Sequence, residues 1–396
     1  MIFKSFKDEY YSFRKNKMSI LVLLVLPLIF AIVLGLELSH EFIDSIPMAV
    51  IDYDKSTFSM QLTDAFDSNE IFNVVYHPAN EDELEYLMKN SKARVGMIIP
   101  KNFYNDIAML KSPTVMMVYD GSHMSITSAA KTKATEILLT YKAGAAIKQL
   151  TARLDMPYEE AYNIAQAIKF SNQTLYNPTK SFDNFLSPIL LAGYVQSAIA
   201  LVAAVAVDHG IYKKRRSERL GYSTGKTIFY TICGTIAFMI NIVFQVVVFR
   251  LPFEGNIFYA VILSAALSFS VSAFCILISA LFENRMIAVV AGAVVFIPNS
   301  AMAGTTWPLL SMLSGYRSFA EFLPFTHYVS NIRYLYLKGL SINQIYGDII
   351  YMLIFGAVML LLSEGVMLIA EQKSDFGEVK AYDLYERDEK GISLNI

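Results

Sequence analysis

Apolar residues gather into six runs, each of a length that approaches or exceeds the roughly 20 helical residues needed to cross a bilayer. They cover 19–38, 188–207, 227–249, 257–282, 286–302 and 345–370. The first, "SILVLLVLPLIFAIVLGLEL", follows a basic start as a signal peptide would. Its apolar stretch is too long for one, and "ELSHEF" after it offers no small-x-small cleavage site, so an uncleaved anchor is expected.

Between the first two runs the rhythm changes. "PMAVIDYD" (47–54), "IFNVVYH" (71–77), "ARVGMIIP" (93–100) and "PTVMMVYDG" (113–121) read as short strands. "STFSMQLTDAF" (56–66), "NEDELEYLMKN" (80–90) and a piece at 102–110 read as helices between them. Asn80 and the acids after it suit a helix N-terminus. Strand–helix alternation implies a small mixed α/β layer. From 123 to 170 the pattern is helical, broken near Pro157.

Lysine and arginine set the orientation. Residues 1–17 hold Lys4, Lys7, Arg14, Lys15 and Lys17, and the stretch after the second run holds Lys213, Lys214, Arg215, Arg216, Arg219 and Lys226. Arg285 falls in the next loop on that side, and Arg250 alone in the opposite one. This puts both termini and the 208–226 loop in the cytoplasm and 39–187 outside. The expected fold class is an α-helical polytopic membrane protein of six transmembrane helices, with an inserted extracytoplasmic α/β plus helical domain. Its parts are an amphipathic interfacial helix (1–17), a first span (18–38), the outside domain (39–187), five spans (188–370) with an outer return at 307–344, and a cytoplasmic tail (371–396). Phe3, Phe6, Tyr10 and Phe13 recur at helical spacing and make the first of these amphipathic.

The chain is 55% hydrophobic and 17% charged, against about 25% charge in a typical soluble protein. A formal net charge of −2 argues against a nucleic-acid partner. Cys233 and Cys275 both fall in apolar runs and indicate nothing about disulfides.

Candidate chemistry is sparse. "RRSERLGYSTGKTIFY" (215–230) ends its glycine pair in Gly-Lys-Thr, as a phosphate-binding loop does. Only three residues separate Gly221 from Gly225 where four are needed, and a like-charged run replaces the required strand. Asp52-x-Asp54 could be a metal or catalytic pair, but without His or Cys at ligand spacing a strand end and capping turn are the better reading. His40, His77, His123, His209 and His327 are scattered. Asn172 opens a formal glycosylation sequon. Within the spans, Gln196, Asn241, Gln245 and Glu364 are polar candidates for a transport pathway. The alternative is interhelical hydrogen bonding, or snorkelling for Glu364.

Together these segments resemble the permease subunits of ABC-2 type exporters with a large insert after the first span. "IPMAVIDYDKSTFSMQLTDAF", "ARVGMIIPKNFYNDI" and "TVMMVYDGS" are similar to the insert's strands. "LYNPTKSFDNFLSPILLAGYVQ" is similar to the entry to the second span, and "LPFTHYVSNIRYLYLKG" to the outer return, with Pro324, Thr326, Arg333 and Gly339 in place. The likeness covers nearly the whole chain.

It implies a non-catalytic subunit of the bacterial inner membrane that moves an amphiphilic or hydrophobic substrate (a drug, lipid or peptide) outward. A separate cytoplasmic ATPase holds ATP and Mg²⁺, and this chain needs no cofactor. The other implied partners are a second permease copy or paralogue and membrane lipid. The loop after the second span then carries the ATPase contact, at Asp208, Gly210, Ile211, Tyr212, Lys213 and Glu218. Ile211 stands where the family has Thr, and Lys213 where it has an acid. These positions lie outside the apolar runs, so substitution there is expected to spare folding. A membrane receptor or secretion-associated protein that binds ligand through the outside domain is the rival reading.

Overall fold

In a computed structural model, the described residues are 1–38, 43–168, 173–179 and 181–389, without the side chains of 213 and 372–389. Asn172 and His40 lie outside them. The chain divides into two compact units, residues 1–41 with 174–396, and residues 42–173.

The second unit is built on four strands, β1 (Ile46–Asp52), β2 (Phe72–Tyr76), β3 (Val95–Ile99) and β4 (Met116–Tyr119), in the order β2-β1-β3-β4. β1 runs parallel to both neighbours, and β4 runs antiparallel to β3. As the central strand, β1 buries side chains on both faces, which is why it reads as an unbroken apolar run. Met48 and Val50 face Leu62, Phe66 and Phe72, while Ala49 and Ile51 face Leu84 and Leu87.

The intervening helices start where capping chemistry predicts. Ser56 accepts from the Ser59 N–H at the head of α4 (Thr57–Asp67). In α5 (Glu81–Lys89) Asn80 accepts from the Glu83 N–H, and Glu83 reaches back to the Ala79 N–H. The short α6 (Phe103–Ala108) leads to β4; then α7 (Met124–Leu154) and α8 (Tyr158–Ala165) flank Pro157.

The first unit is a helical bundle. It opens with α1 (Ile2–Lys15), then α2 (Lys17–Ile20), a π-helical turn (Leu21–Val25) and α3 (Leu26–Glu37). The wide turn lies just before Pro27, whose ring would otherwise meet the carbonyl of Leu23. Then come α9 (Phe182–Ala203), a 3₁₀ turn (His209–Lys213), α10 (Arg216–Val248), α11 (Ile257–Leu281) and α12 (Arg285–Met302). The bundle ends with α13 (Ser314–Phe322), α14 (Pro324–Lys338) and α15 (Ile342–Glu389). Among the described residues, six helices are long and apolar enough to cross a membrane: Lys17–Glu37, Phe182–Ala203, Arg216–Val248, Ile257–Leu281, Arg285–Met302 and Ile342–Glu371.

α11 is the axis, buried on most sides. Small residues let its neighbours approach: Ser268 lies against Gly234 of α10, and Phe269 and Ser270 lie against Gly356 of α15.

One boundary differs clearly from the sequence expectation. The stretch 216–226, expected as loop, forms the first three turns of α10. The charged run Lys213–Arg216 masked the helix in the pattern. Arg219 and Lys226 are nevertheless buried inside it, because each has an acid partner elsewhere in the bundle.

Candidate functional site

The residues from 208 to 230 converge at one end of the bundle, here called the basic end. Asp208 caps the 3₁₀ turn, its Oδ1 accepting from the Gly210 N–H at 3.1 Å, while its own N–H donates to the Tyr222 hydroxyl oxygen at 2.8 Å. Asp208, Gly210 and Lys214 to Ser217 are exposed and Glu218 is half-buried. Lys213 lies in the turn.

Ile211 and Tyr212 correct the sequence expectation. Both are buried in the bundle's core, at 7% and 8% exposure, and the Tyr212 hydroxyl donates to the Ala280 carbonyl at 2.7 Å. They hold the turn down from beneath, so their replacement perturbs packing as well as any contact. Burial first, then the neighbouring Glu283 and Tyr222, pushes the Tyr212 phenol far above its ordinary value.

Arg219 ties this turn to the last helix. It is 1% exposed. Its Nη1 donates to the carbonyls of Tyr212 and Lys214 at 3.1 and 2.7 Å and to Glu371 at 2.6 Å, and its Nε donates to Glu364 at 3.2 Å. A buried guanidinium is tolerable only with such pairing. Glu364 therefore belongs to this cluster.

The Gly-Lys-Thr stretch has a different role from phosphate binding. Gly221 and Gly225 lie one turn apart on α10, where α1 crosses. A Cβ at Gly221 would stand 2.7 Å from Met1 Cβ, and one at Gly225 2.8 Å from Ser5 Cβ. Beside them the Lys226 ammonium pairs with Glu9 at 2.6 Å, donates to the Ala206 carbonyl, and sits 4.7 Å over the Tyr222 ring. The Tyr230 hydroxyl donates to the other Glu9 oxygen. Phe6 and Phe13 meet Phe229 edge-on, with centroids 5.6 and 5.4 Å apart. The aromatic stripe of α1 is split, since Phe3 and Tyr10 face outward. Glu9 was missed in the sequence; the available signal was an acid set four residues before Phe13 and three after Phe6.

The remaining polar candidates are all buried. Gln196 Nε2 donates to the Phe296 carbonyl at 3.2 Å, joining α9 to α12, and Asn241 Nδ2 donates within its own helix to Ala237 at 2.9 Å. Gln245 lies one turn beyond Asn241 on α10. The side-chain oxygens of Gln196, Asn241 and Gln245, and one of Glu364, have no hydrogen-bond partner among the described residues. No hydrogen bond joins the four to one another among those residues.

Between α3, α9 and α12 runs an apolar groove of about 390 Å³. Phe30 and Tyr194 stack in it, with centroids 4.1 Å apart and planes 3° from parallel. Ser197, Ile297 and Thr305 lie along it, and no charged residue lines it among the described residues.

In the α/β unit, Asp52 is a structural acid. Its Oδ1 accepts from the N–H groups of Asp54 and Lys55 at 2.9 and 3.0 Å, and its Oδ2 from the Ser59 hydroxyl at 2.6 Å. Asp54 accepts from the Tyr104 N–H at 3.1 Å. Both carboxylates are thus spent on turns and helix starts, the capping role read from the sequence.

Compared with known proteins, residues 17–363 match the model of the family described as "ABC-2 family transporter protein". The chain is similar to the "Probable multidrug ABC transporter permease YbhR" of Escherichia coli K12, 19% identical over 342 residues, covering 85% of this chain and 89% of that one. It is also similar to "ABC transporter G family member 20" of Dictyostelium discoideum, 23% identical over 239 residues. That match covers 57% of this chain and only 32% of the relative, about a third of its length.

Proposed function

The chain belongs to the ABC-2 family of transporter proteins, a multi-pass membrane family whose ATPase is a partner subunit, and from this we propose that it is the permease subunit of an exporter. The cargo is amphiphilic or hydrophobic and leaves the cytoplasm or inner leaflet. A second permease copy or paralogue completes the pathway, and a separate ATPase drives it. The basic end lies in the cytoplasm and the α/β unit on the far side, as the lysine and arginine distribution across the short loops favours. The YbhR name supports a multidrug cargo by analogy alone.

The observation that carries the reading is the 3₁₀ turn at 209–213. It presents Asp208, Gly210 and the basic residues 214–216 to solvent while Arg219 fixes it to Glu364 and Glu371. A push on that surface acts on a braced turn, so displacement passes to α10 and α15 without being absorbed locally. The apolar groove supports a hydrophobic cargo, because it buries no charge.

The test is capture of a partner ABC ATPase subunit co-expressed with this chain. Gly210→Trp with Arg215→Glu alters exposed positions and leaves the Asp208 cap in place, and is expected to abolish capture and transport with membrane insertion intact. Ile211→Asp with Tyr212→Asp is expected to lower the yield of folded protein as well. Full capture and transport by the exposed-position variant would remove the turn as the ATPase contact.

A further inference from the structure

Arg333 lies on α14. It is partly buried, and no carboxylate forms an ion pair with it among the described residues. Its Nη2 donates to the Thr305 carbonyl at 3.2 Å, and the guanidinium lies 4.2 Å over the Phe185 ring. Its Nε is buried with no acceptor among those residues. Desolvation holds its pKa below the ordinary arginine value, so the environment works against the charge. Arg219, more completely removed from water, has two carboxylates. A desolvated cation without an anion is costly, and its geometry suits a bidentate carboxylate or phosphate.

The position of Arg333 gives that charge a use. Thr305, whose carbonyl it grips, lies in the wall of the apolar groove. Phe185 lies in the first turn of α9, whose other end approaches Lys226 through Ala206. Arg333 therefore marks the end of the groove remote from the basic end. The groove itself is uncharged and about 390 Å³, within the ~300–1,000 Å³ typical of ligand sites.

We propose that the groove and Arg333 form one binding site for an anionic amphiphile, its carboxylate or phosphate head on the guanidinium and its tail between α3, α9 and α12. This deepens the permease reading, on which it rests, by naming the charge of the head. A membrane phospholipid resident in the groove and a transported anionic amphiphile share this chemistry.

The experiment uses the full chain in phosphatidylcholine nanodiscs, with spin-labelled phosphatidic acid and spin-labelled phosphatidylcholine of identical chains as probes. The motionally restricted fraction of each label reports binding. The wild type is expected to prefer phosphatidic acid by about tenfold or more, the size of a charge-assisted hydrogen-bond pair. Arg333→Gln should lose that preference and Arg333→Lys keep part of it. Ala301→Trp, which narrows the groove, should weaken both probes together. If Arg333→Gln does not fold, Phe185→Leu removes the stacking plane alone and should reduce the preference. Equal binding of the two heads by wild type, or a preference that survives Arg333→Gln, overturns the site. In the complex with its ATPase, release of the phosphatidic acid probe under ATP identifies cargo and retention identifies resident lipid; both keep the site. A chain that captures its ATPase yet shows no head preference refutes this site and leaves the permease reading standing.

Discussion

Replacing Glu9 with alanine should undock α1 from the bundle. Glu9 and Lys226 are nearly sealed from solvent, their side chains 8% and 10% exposed, with 2.6 Å between charged atoms. Removing the carboxylate leaves the ammonium buried with only the Ala206 carbonyl and the Tyr222 ring. Breaking a buried pair from one side costs about 3–5 kcal/mol. The two remaining contacts place this case at the lower end, about 3 kcal/mol, or roughly a hundredfold in the docking equilibrium. Hydrogen exchange of the α1 amides in nanodiscs measures that equilibrium directly. Glu9→Ala should accelerate exchange about a hundredfold across residues 5–15. Asp8→Ala, one residue away and exposed, should leave it within a factor of two or so. The double change Glu9→Leu with Lys226→Met removes both charges and should recover most of the protection. It stays roughly 1 kcal/mol short, because the Tyr230 hydroxyl and Ala206 carbonyl lose their partners. If Glu9→Ala exchanges no faster than Asp8→Ala, the pair does not hold the helix and the argument is wrong.

Gly225→Leu should also displace α1, because its Cβ would press on the Ile2 carbonyl and Ser5, at a cost of about 1–3 kcal/mol. Gly144→Ala, with open space around it on α7, should instead be neutral or stabilise by up to about 1 kcal/mol, and thermal melts of the two variants should move in opposite directions. In the α/β unit, hydrogen bonds from Ser122, then the paired Arg94, lower the Asp120 carboxyl from 3.8 to about 2. A carboxyl lowered by folding contributes stability above its unfolded value, and that contribution is lost as pH falls through the folded one. The β3–β4 pairing should therefore weaken between pH 4 and 2, as read by exchange at Val118 and Tyr119, and Asp120→Asn should abolish that part of the dependence.

Much of this molecule was legible as pattern. Six apolar runs gave six candidate spans, and a switch to strand–helix alternation gave the sheet, because burial in lipid or in a two-sided core demands continuous apolar sequence. Asn80 and Ser56 announced their helices because capping is local and uses residues within four positions. The order of motifs along the whole chain carried the family.

What stayed hidden was every polar residue whose partner lies far along the chain. Lys226 reads as a positive-inside anchor until Glu9, 217 residues away, neutralises it. Arg219 reads as loop until Glu364 and Glu371 bury it. Ile211 and Tyr212 read as contact positions outside the apolar runs, yet the closed bundle takes them into its core. Gly221 and Gly225 suggested phosphate until α1 crossed them. Hydrophobic periodicity reports which side chains avoid water, and it is silent on which charges find one another. That pairing depends on helix crossing and register, so only the tertiary structure decided that the basic end is braced by buried ion pairs and that the Arg333 guanidinium, with no carboxylate on it among the described residues, meets the Thr305 carbonyl beside an apolar groove.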